Sequence, residues 1–193
     1  AGINYATGNW ILKANIGKSF RVPIPKELGT DGINYHIFRY EKGNPTLNPE
    51  ESYQLDLGLR WGNDKVTVQF DPYLNYFPNY IYMNPTPNYY EGLQWYYYTQ
   101  SRVIRSGFEL QANWKICPFL SAEVKGEYLY AEQLSGEKKG YTLPFSTPWS
   151  ADMTLKYDYC QQKVGNEGFV ALNFHVVGRQ NNIVPPEKPT PGY

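Results

Sequence analysis

Ser52-Tyr53-Gln54-Leu55-Asp56-Leu57-Gly58-Leu59-Arg60-Trp61 separates into two faces when taken two residues at a time. Tyr53, Leu55, Leu57, Leu59 and Trp61 are apolar, while Ser52, Gln54, Asp56, Gly58 and Arg60 are polar or lack a side chain. Successive side chains of a strand point to opposite sides, so this stretch is a ribbon with one greasy and one wet face. Most other strands of the chain carry the same pattern. Their greasy faces either share a core or form a belt against lipid. That choice decides the function.

Six further strands are predicted from alternation. Trp10, Leu12, Ala14 and Ile16 oppose Asn9, Lys13, Asn15 and Gly17, with Ile11 as the exception. Val66 to Tyr76 follows Ser52–Trp61 through the tight turn Gly62-Asn63-Asp64. Ile104 to Ile116 and Leu120 to Tyr130 are joined by Cys117-Pro118-Phe119. Asp152 to Tyr159 and Val170 to Arg179 complete the set. No segment sustains helical periodicity. The chain reads as all-β.

Connection lengths alternate. Trp61–Lys65, Ile116–Leu120 and Cys160–Phe169 are short, whereas Phe20–Glu51, Tyr80–Trp95, Ala131–Trp149 and the tail after Gln180 are long. Strands running up and down put short turns at one end and long loops at the other, as outer-membrane barrels do. A Greek-key sandwich scatters its long connections over both ends. About ten to twelve alternating residues suit a tilted membrane strand, against ~5–6 for a globular one. Trp10, Tyr53, Trp61, Trp114, Tyr128, Tyr130, Tyr157 and Tyr159 sit at strand ends, where headgroups accept amphipathic rings.

Composition fits that picture. Of 193 residues, 17% are aromatic and only 19% charged, below the usual ~25%. Formal net charge is zero, which gives nucleic acid no electrostatic footing. The mean hydropathy is negative and no apolar run approaches ~20 residues, so a transmembrane helix is excluded and a barrel is not. The wet face carries both signs on nearly every strand, including Lys13, Asp56, Arg60, Asp71, Arg105, Glu109, Glu123, Lys125, Glu127, Asp152 and Lys156. A soluble sandwich would show these as its solvated outside. Together with the loop asymmetry they point to a hydrated barrel interior. The fold expected is an antiparallel up-and-down transmembrane β-barrel segment, about seven strands of a larger barrel.

Several motifs resemble one family. Gly43-Asn44-Pro45-Thr46-Leu47-Asn48-Pro49-Glu50 looks like the "GNPxLxPE" signature of TonB-dependent outer-membrane receptors. Ser19-Phe20-Arg21-Val22-Pro23 with Glu27-Leu28 resembles its "SFRxPxxxEL" stretch. Ser106-Gly107-Phe108-Glu109-Leu110 is similar to its "GxEL" strand, and Leu143-Pro144-Phe145-Ser146-Thr147-Pro148 to its "LPFxPP" loop, with Thr147 in place of a proline. Pro186 to Tyr193 looks like the approach to a next strand. The resemblance covers essentially residues 1–193, as a partial receptor barrel domain from the later part of the barrel. It implies that the plug domain and the final strands lie outside this stretch.

What the resemblance implies about function is capture and energised import of a scarce nutrient across the outer membrane of a Gram-negative bacterium. Family cargoes include iron-siderophores, haem, other metal complexes, cobalamin and some glycans. Expected partners are outer-membrane lipid, the small-molecule or metal-complex ligand, and a periplasmic energy-coupling protein acting through the plug. Such a protein is not an enzyme and needs no catalytic residue, metal site or cofactor of its own.

Candidate ligand contacts lie on the long loops and upper inner wall: His36, Arg39, Tyr89, Tyr90, Trp95 and Tyr97, with Tyr35, Phe38, Tyr82 and Met83 beside them. Aromatic and Arg side chains suit planar or anionic ligands. The competing reading is that they pack the loops together. His36 and His175 are too few for a metal site, and His36 with Met83 falls short of a copper set. Cys117 and Cys160 sit at neighbouring short turns, either as a disulfide or as two thiols. The alternatives are a passive outer-membrane porin and a soluble, aromatic-rich β-sandwich that binds carbohydrate.

Overall fold

The computed structural model describes residues 1–161 and 166–193, and side chains outside 160–167. Its strands are β1 (Gly2–Thr7), β2 (Trp10–Arg21), β3 (Asp31–Asn34), β4 (Arg39–Lys42), β5 (Glu50–Gly62), β6 (Val66–Tyr90), β7 (Leu93–Cys117), β8 (Leu120–Gln133), β9 (Ser150–Gln161) and β10 (Asn166–Val177). One short helix, α1 (Pro25–Gly29), lies between β2 and β3. Glu27 starts it by accepting from the Ile24 amide at 3.0 Å, and Pro25 supplies the fixed φ of a first turn. No described helix is long and apolar enough to cross a membrane.

Eight strands pair in the order β1-β2-β5-β6-β7-β8-β9-β10, each antiparallel to the next. This is an up-and-down sheet and not a Greek key. Directly opposed residues share a face, so the register sorts the sequence into rows. Trp10, Trp61, Val68, Ala112, Val124, Met153 and Phe174 form one apolar row. The adjacent row reads Ile11, Arg60, Gln69, Gln111, Lys125, Asp152 and His175, which places the exceptional Ile11 on the polar face.

Among the described residues, no protein layer covers the apolar face. Leu57 is 41% exposed and Leu172 56%. Trp61 and Tyr53 bound this belt on β5, as Tyr157 and Trp149 do beside β9, in each case eight residues apart. That is roughly 26 Å of strand, or about 20 Å of height after tilting, close to the ~25 Å band of a barrel. Short turns collect at one end. The β1–β2 turn uses Gly8 at φ +54°, and Asn63 Oδ1 accepts the amides of Lys65 and Val66 at 2.9 and 2.8 Å.

The structure departs from the sequence expectation mainly at the other end. Tyr80–Trp95 is not a loop, because β6 and β7 run 25 residues each and close at a two-residue turn, Glu91-Gly92, with φ +49° and +79°. The Phe20–Glu51 connection contains α1 and the β3–β4 hairpin, and β1 adds a further strand, so seven expected strands become ten. β4 then pairs with β7 in parallel, Tyr40 against Trp95 and Lys42 against Tyr97, on the edge that β8 leaves free above Val103. The last strand also stops at Val177, which leaves Arg179 outside it.

The buried core sits at this end. Phe77, Tyr82, Val103, Ala131 and Leu143 pack together, with Tyr80 against them. A register shift between Phe77 and Tyr80 brings Tyr80, Tyr82 and Asn84 opposite Ser101, Thr99 and Tyr97, on the face that Gln69, Asp71 and Tyr73 occupy lower down. The choice between a Cys117–Cys160 disulfide and two thiols lies outside the described residues, since the Cys160 side chain is not among them.

Candidate functional site

Three clusters organise the long-loop end. Glu41 is 2% exposed and gathers Lys26 Nζ at 2.7 Å, Arg39 Nε at 2.8 Å and Asn34 Nδ2 at 3.1 Å. Burial alone would raise its pKa, but the three donors outweigh that and hold it below the ordinary carboxylate value. The Arg39 guanidinium also lies 4.8 Å from the Tyr96 ring and 5.4 Å from that of Phe145, which stack on each other at 6.0 Å. The loop after β8 is thereby tied to the β3–β4 hairpin.

The second cluster fastens α1 to the sheet. Arg21 donates to Glu27 at 2.9 Å and to Glu50 at 3.1 and 3.2 Å, which raises its own pKa and fixes its charge. Glu50 accepts the Ile81 amide at 2.7 Å as well. In the third, Tyr40 meets Tyr90 at 4.6 Å and the edge of Trp95 at 5.7 Å, with Lys42 Nζ 5.6 Å from the Trp95 ring. Tyr97 donates to Glu137 at 2.7 Å and accepts from Asn84 Nδ2 at 2.8 Å.

The six residues singled out from sequence therefore fall into two groups. Arg39, Trp95 and Tyr97 have partners within the chain. His36 and Tyr89 are exposed, Tyr89 at 67%, and Tyr90 remains 46% exposed despite its contact with Tyr40. Of their neighbours, Tyr35 and Phe38 are exposed, whereas Tyr82 is buried in the core. Because β4 runs parallel to β7 from Arg39, the Tyr35–Phe38 turn stands beside the Tyr90–Leu93 tip at the far end of the molecule. Tyr40, Tyr96, Phe145 and Glu137 were not singled out. Their partners are remote in sequence, and no local pattern announces a parallel pairing.

The polar face below is wet and charged. Asp71, Glu109 and Glu127 lie side by side on β6, β7 and β8. Glu127 accepts from Ser150, Asp71 from Gln69, and Asp152 hydrogen-bonds His175 at 2.7 Å. No group of three or more His, Cys, Asp or Glu suited to a metal ion occurs among the described residues. This face can hydrate and guide a polar solute.

The class of protein that this sheet defines is a membrane barrel, of which the chain is one arc. The family described as TonB dependent receptor-like, beta-barrel, matches residues 1–193, and the chain belongs to it. Among solved structures it is similar to the copper transporter OprC, with a TM-score of 0.80 and 20% identity over 100% of this chain and 29% of that one. The ferric yersiniabactin uptake receptor FyuA from Yersinia pestis gives 0.66 and 16%, over 100% of this chain and 27% of that one. The siderophore receptor PirA from Acinetobacter baumannii gives 0.66 and 16%, over 100% and 33%. At such identities these likenesses establish the fold. No curated protein matches the sequence significantly. The chain thus spans about a third or less of the proteins it resembles.

Proposed function

We propose that residues 1–193 are a partial barrel domain of an outer-membrane receptor that imports a scarce metal complex, such as an iron-siderophore or haem, into a Gram-negative bacterium. The observation that carries this reading is the uncovered apolar belt between aromatic rings, backed by a mixed-charge face, in a chain whose whole length matches the receptor family. Lipid covers the belt, and the polar face lines the passage. A periplasmic energy-coupling protein drives transport through a plug. Cargo meets the distal end first, where Tyr89, Tyr90 and His36 are exposed; Arg39, Trp95 and Tyr97 hold the framework that presents them. No covalent step is involved.

The test uses the full-length receptor in cells lacking it, with radiolabelled ferric and copper complexes offered singly. Saturable uptake that stops when the proton-motive force is collapsed is expected for one of them. Uptake that never saturates and survives uncoupling would make the barrel a passive pore instead.

A further inference from the structure

A recess of about 340 Å³ opens on the polar face at the long-loop end of the belt. Tyr80, Tyr82 and Met83 of β6 and Arg105 of β7 wall it, and Leu143 and Phe145 overhang it. Arg105 stands opposite Asn75 and Ala131, one residue from the Tyr76–Ile104 pair at the upper aromatic ring. A solute entering the barrel passes this level before it reaches the carboxylates below.

Arg105 differs from Arg21 and Arg39, the two arginines that build the clusters of this end. Arg21 and Arg39 are each neutralised by carboxylates within 3.2 Å. Arg105 enters no ion pair among the described residues, and its Nε is buried with no hydrogen-bond partner. A buried donor is unfavourable until an acceptor reaches it, and one on a charged group more so.

The nearest carboxylates on the same face are kept apart from it. Glu109 lies four residues along β7, with Gly107 midway. A Cβ at Gly107 would fall 2.6 Å from the Tyr73 hydroxyl, so the Tyr73 ring crosses β7 at that point. Glycine admits the ring, and the ring separates Arg105 from Glu109. The guanidinium keeps its charge free toward the recess.

We propose that Arg105 anchors a subsite for a planar aromatic carboxylate. The guanidinium fork meets the carboxylate, and Tyr80 and Tyr82 pack on the ring. This inference rests on the import reading and assigns part of the cargo's chemistry: an anionic aromatic arm, not a bare cation.

The experiment uses the purified full-length receptor in detergent, with benzoate as probe and benzamide as its uncharged counterpart, both followed by saturation-transfer NMR titration. Benzoate should bind, and benzamide at least tenfold more weakly. Arg105→Gln should weaken benzoate at least tenfold, Arg105→Lys should retain part of the binding, and Arg102→Gln, at an exposed residue outside the recess, should change nothing. Heat-modifiable migration verifies that each barrel has assembled, and Arg105→Lys keeps the test open if the Gln variant fails to assemble. Benzoate bound equally well by wild type and Arg105→Gln overturns the subsite, as does equal binding of benzamide or no binding of benzoate to the wild type. Titration needs no energy source, so this result stands apart from the uptake assay: a passive pore would fail there and still pass here.

Discussion

The belt and the distal cap are built from the same kinds of residue and stabilised by different surroundings. In the belt, Leu57 and Leu172 leave 41% and 56% of their surface uncovered; in the cap, Val103 and Leu143 leave 0% and 6%. The belt is one sheet thick, so its apolar side chains must find their neighbours in lipid. In the cap, β6 and β7 have outrun their neighbouring strands, and α1, the β3–β4 hairpin and the loop after β8 cover what would otherwise be bare. The register shift at Phe77/Tyr80 lies near the boundary. A single sheet thus serves two solvents along its length.

Removing the same side-chain atoms in the two regions should have unequal effects. Leu143→Ala opens a cavity among Phe77, Tyr82, Val103 and Ala131, at about 2–5 kcal/mol for a buried leucine. The loss is local to the cap. Hydrogen exchange at the Leu134 amide, which donates to Arg102 O at 2.7 Å, should accelerate while the belt amides stay protected. Leu57→Ala should perturb far less, because lipid flows into the space. Equal losses at both sites would break the distinction between belt and cap.

Charge reverses the order. Leu57→Arg places a cation at the belt face, at ~2–4 kcal/mol near mid-membrane. Asp56→Arg alters only the polar face, where Gln54 Nε2 donates to the carboxylate at 2.8 and 3.1 Å. Heat-modifiable migration of the full-length receptor should show less assembled barrel for Leu57→Arg. Similar yields from the two variants would mean that the faces have been assigned wrongly.

The belt was legible in the sequence because its two faces meet different solvents, so alternation with period two survives from Trp10 to Val176. The cap was not, because both faces of its strands are covered and alternation no longer marks them. Pro85 and Pro87, with Asn84, Asn88 and Gly92, made Tyr80–Trp95 resemble a loop. Yet Pro78 and Pro87 fall within the register shifts, where a missing N–H is tolerated. The parallel β4–β7 pairing joins residues about 55 apart and leaves no local trace. For the same reason, the sequence marked Arg39, Trp95 and Tyr97 as suitable for binding without revealing that Glu41, Tyr40 and Glu137 would engage them. The charge of Arg105 was legible; its isolation was not, since that depends on Tyr73 crossing Gly107.

Acid should loosen the cap before it touches the belt. The pKa of Glu41 is lowered in the folded state, so its contribution is present above the ordinary carboxylate value and is lost as pH falls through the lowered one. Lys26 is half-exposed, so the effect should be smaller than either substitution above. Glu187 behaves oppositely: burial raises its pKa against the lowering pull of the Phe145 and Val184 amides, so keeping its charged form buried costs stability as pH rises through that range. Trp95 fluorescence followed from pH 6 to pH 3 should report release of the β3–β4 hairpin, and Glu41→Gln should remove most of that transition. A transition unchanged by Glu41→Gln would assign it to another carboxylate.

The smallest effect concerns cargo. Tyr89 and Tyr90 stand at the tip with much of their surface free, whereas Trp95 is wedged between Tyr40 and Lys42. Replacing all three together would therefore mix lost binding with a loosened hairpin. Tyr89→Ala with Tyr90→Ala avoids most of that ambiguity, since only Tyr90 contacts another ring. If these rings stack on a planar ligand, the pair should weaken affinity by about 0.5–1.5 kcal/mol per ring, while the Leu134 amide keeps its protection. Trp95→Ala alone should do the reverse and raise exchange in β4 more than it changes affinity. Affinity unchanged in the double variant would remove the tip from the binding surface and leave the recess at Arg105 as the first point at which this arc meets its cargo.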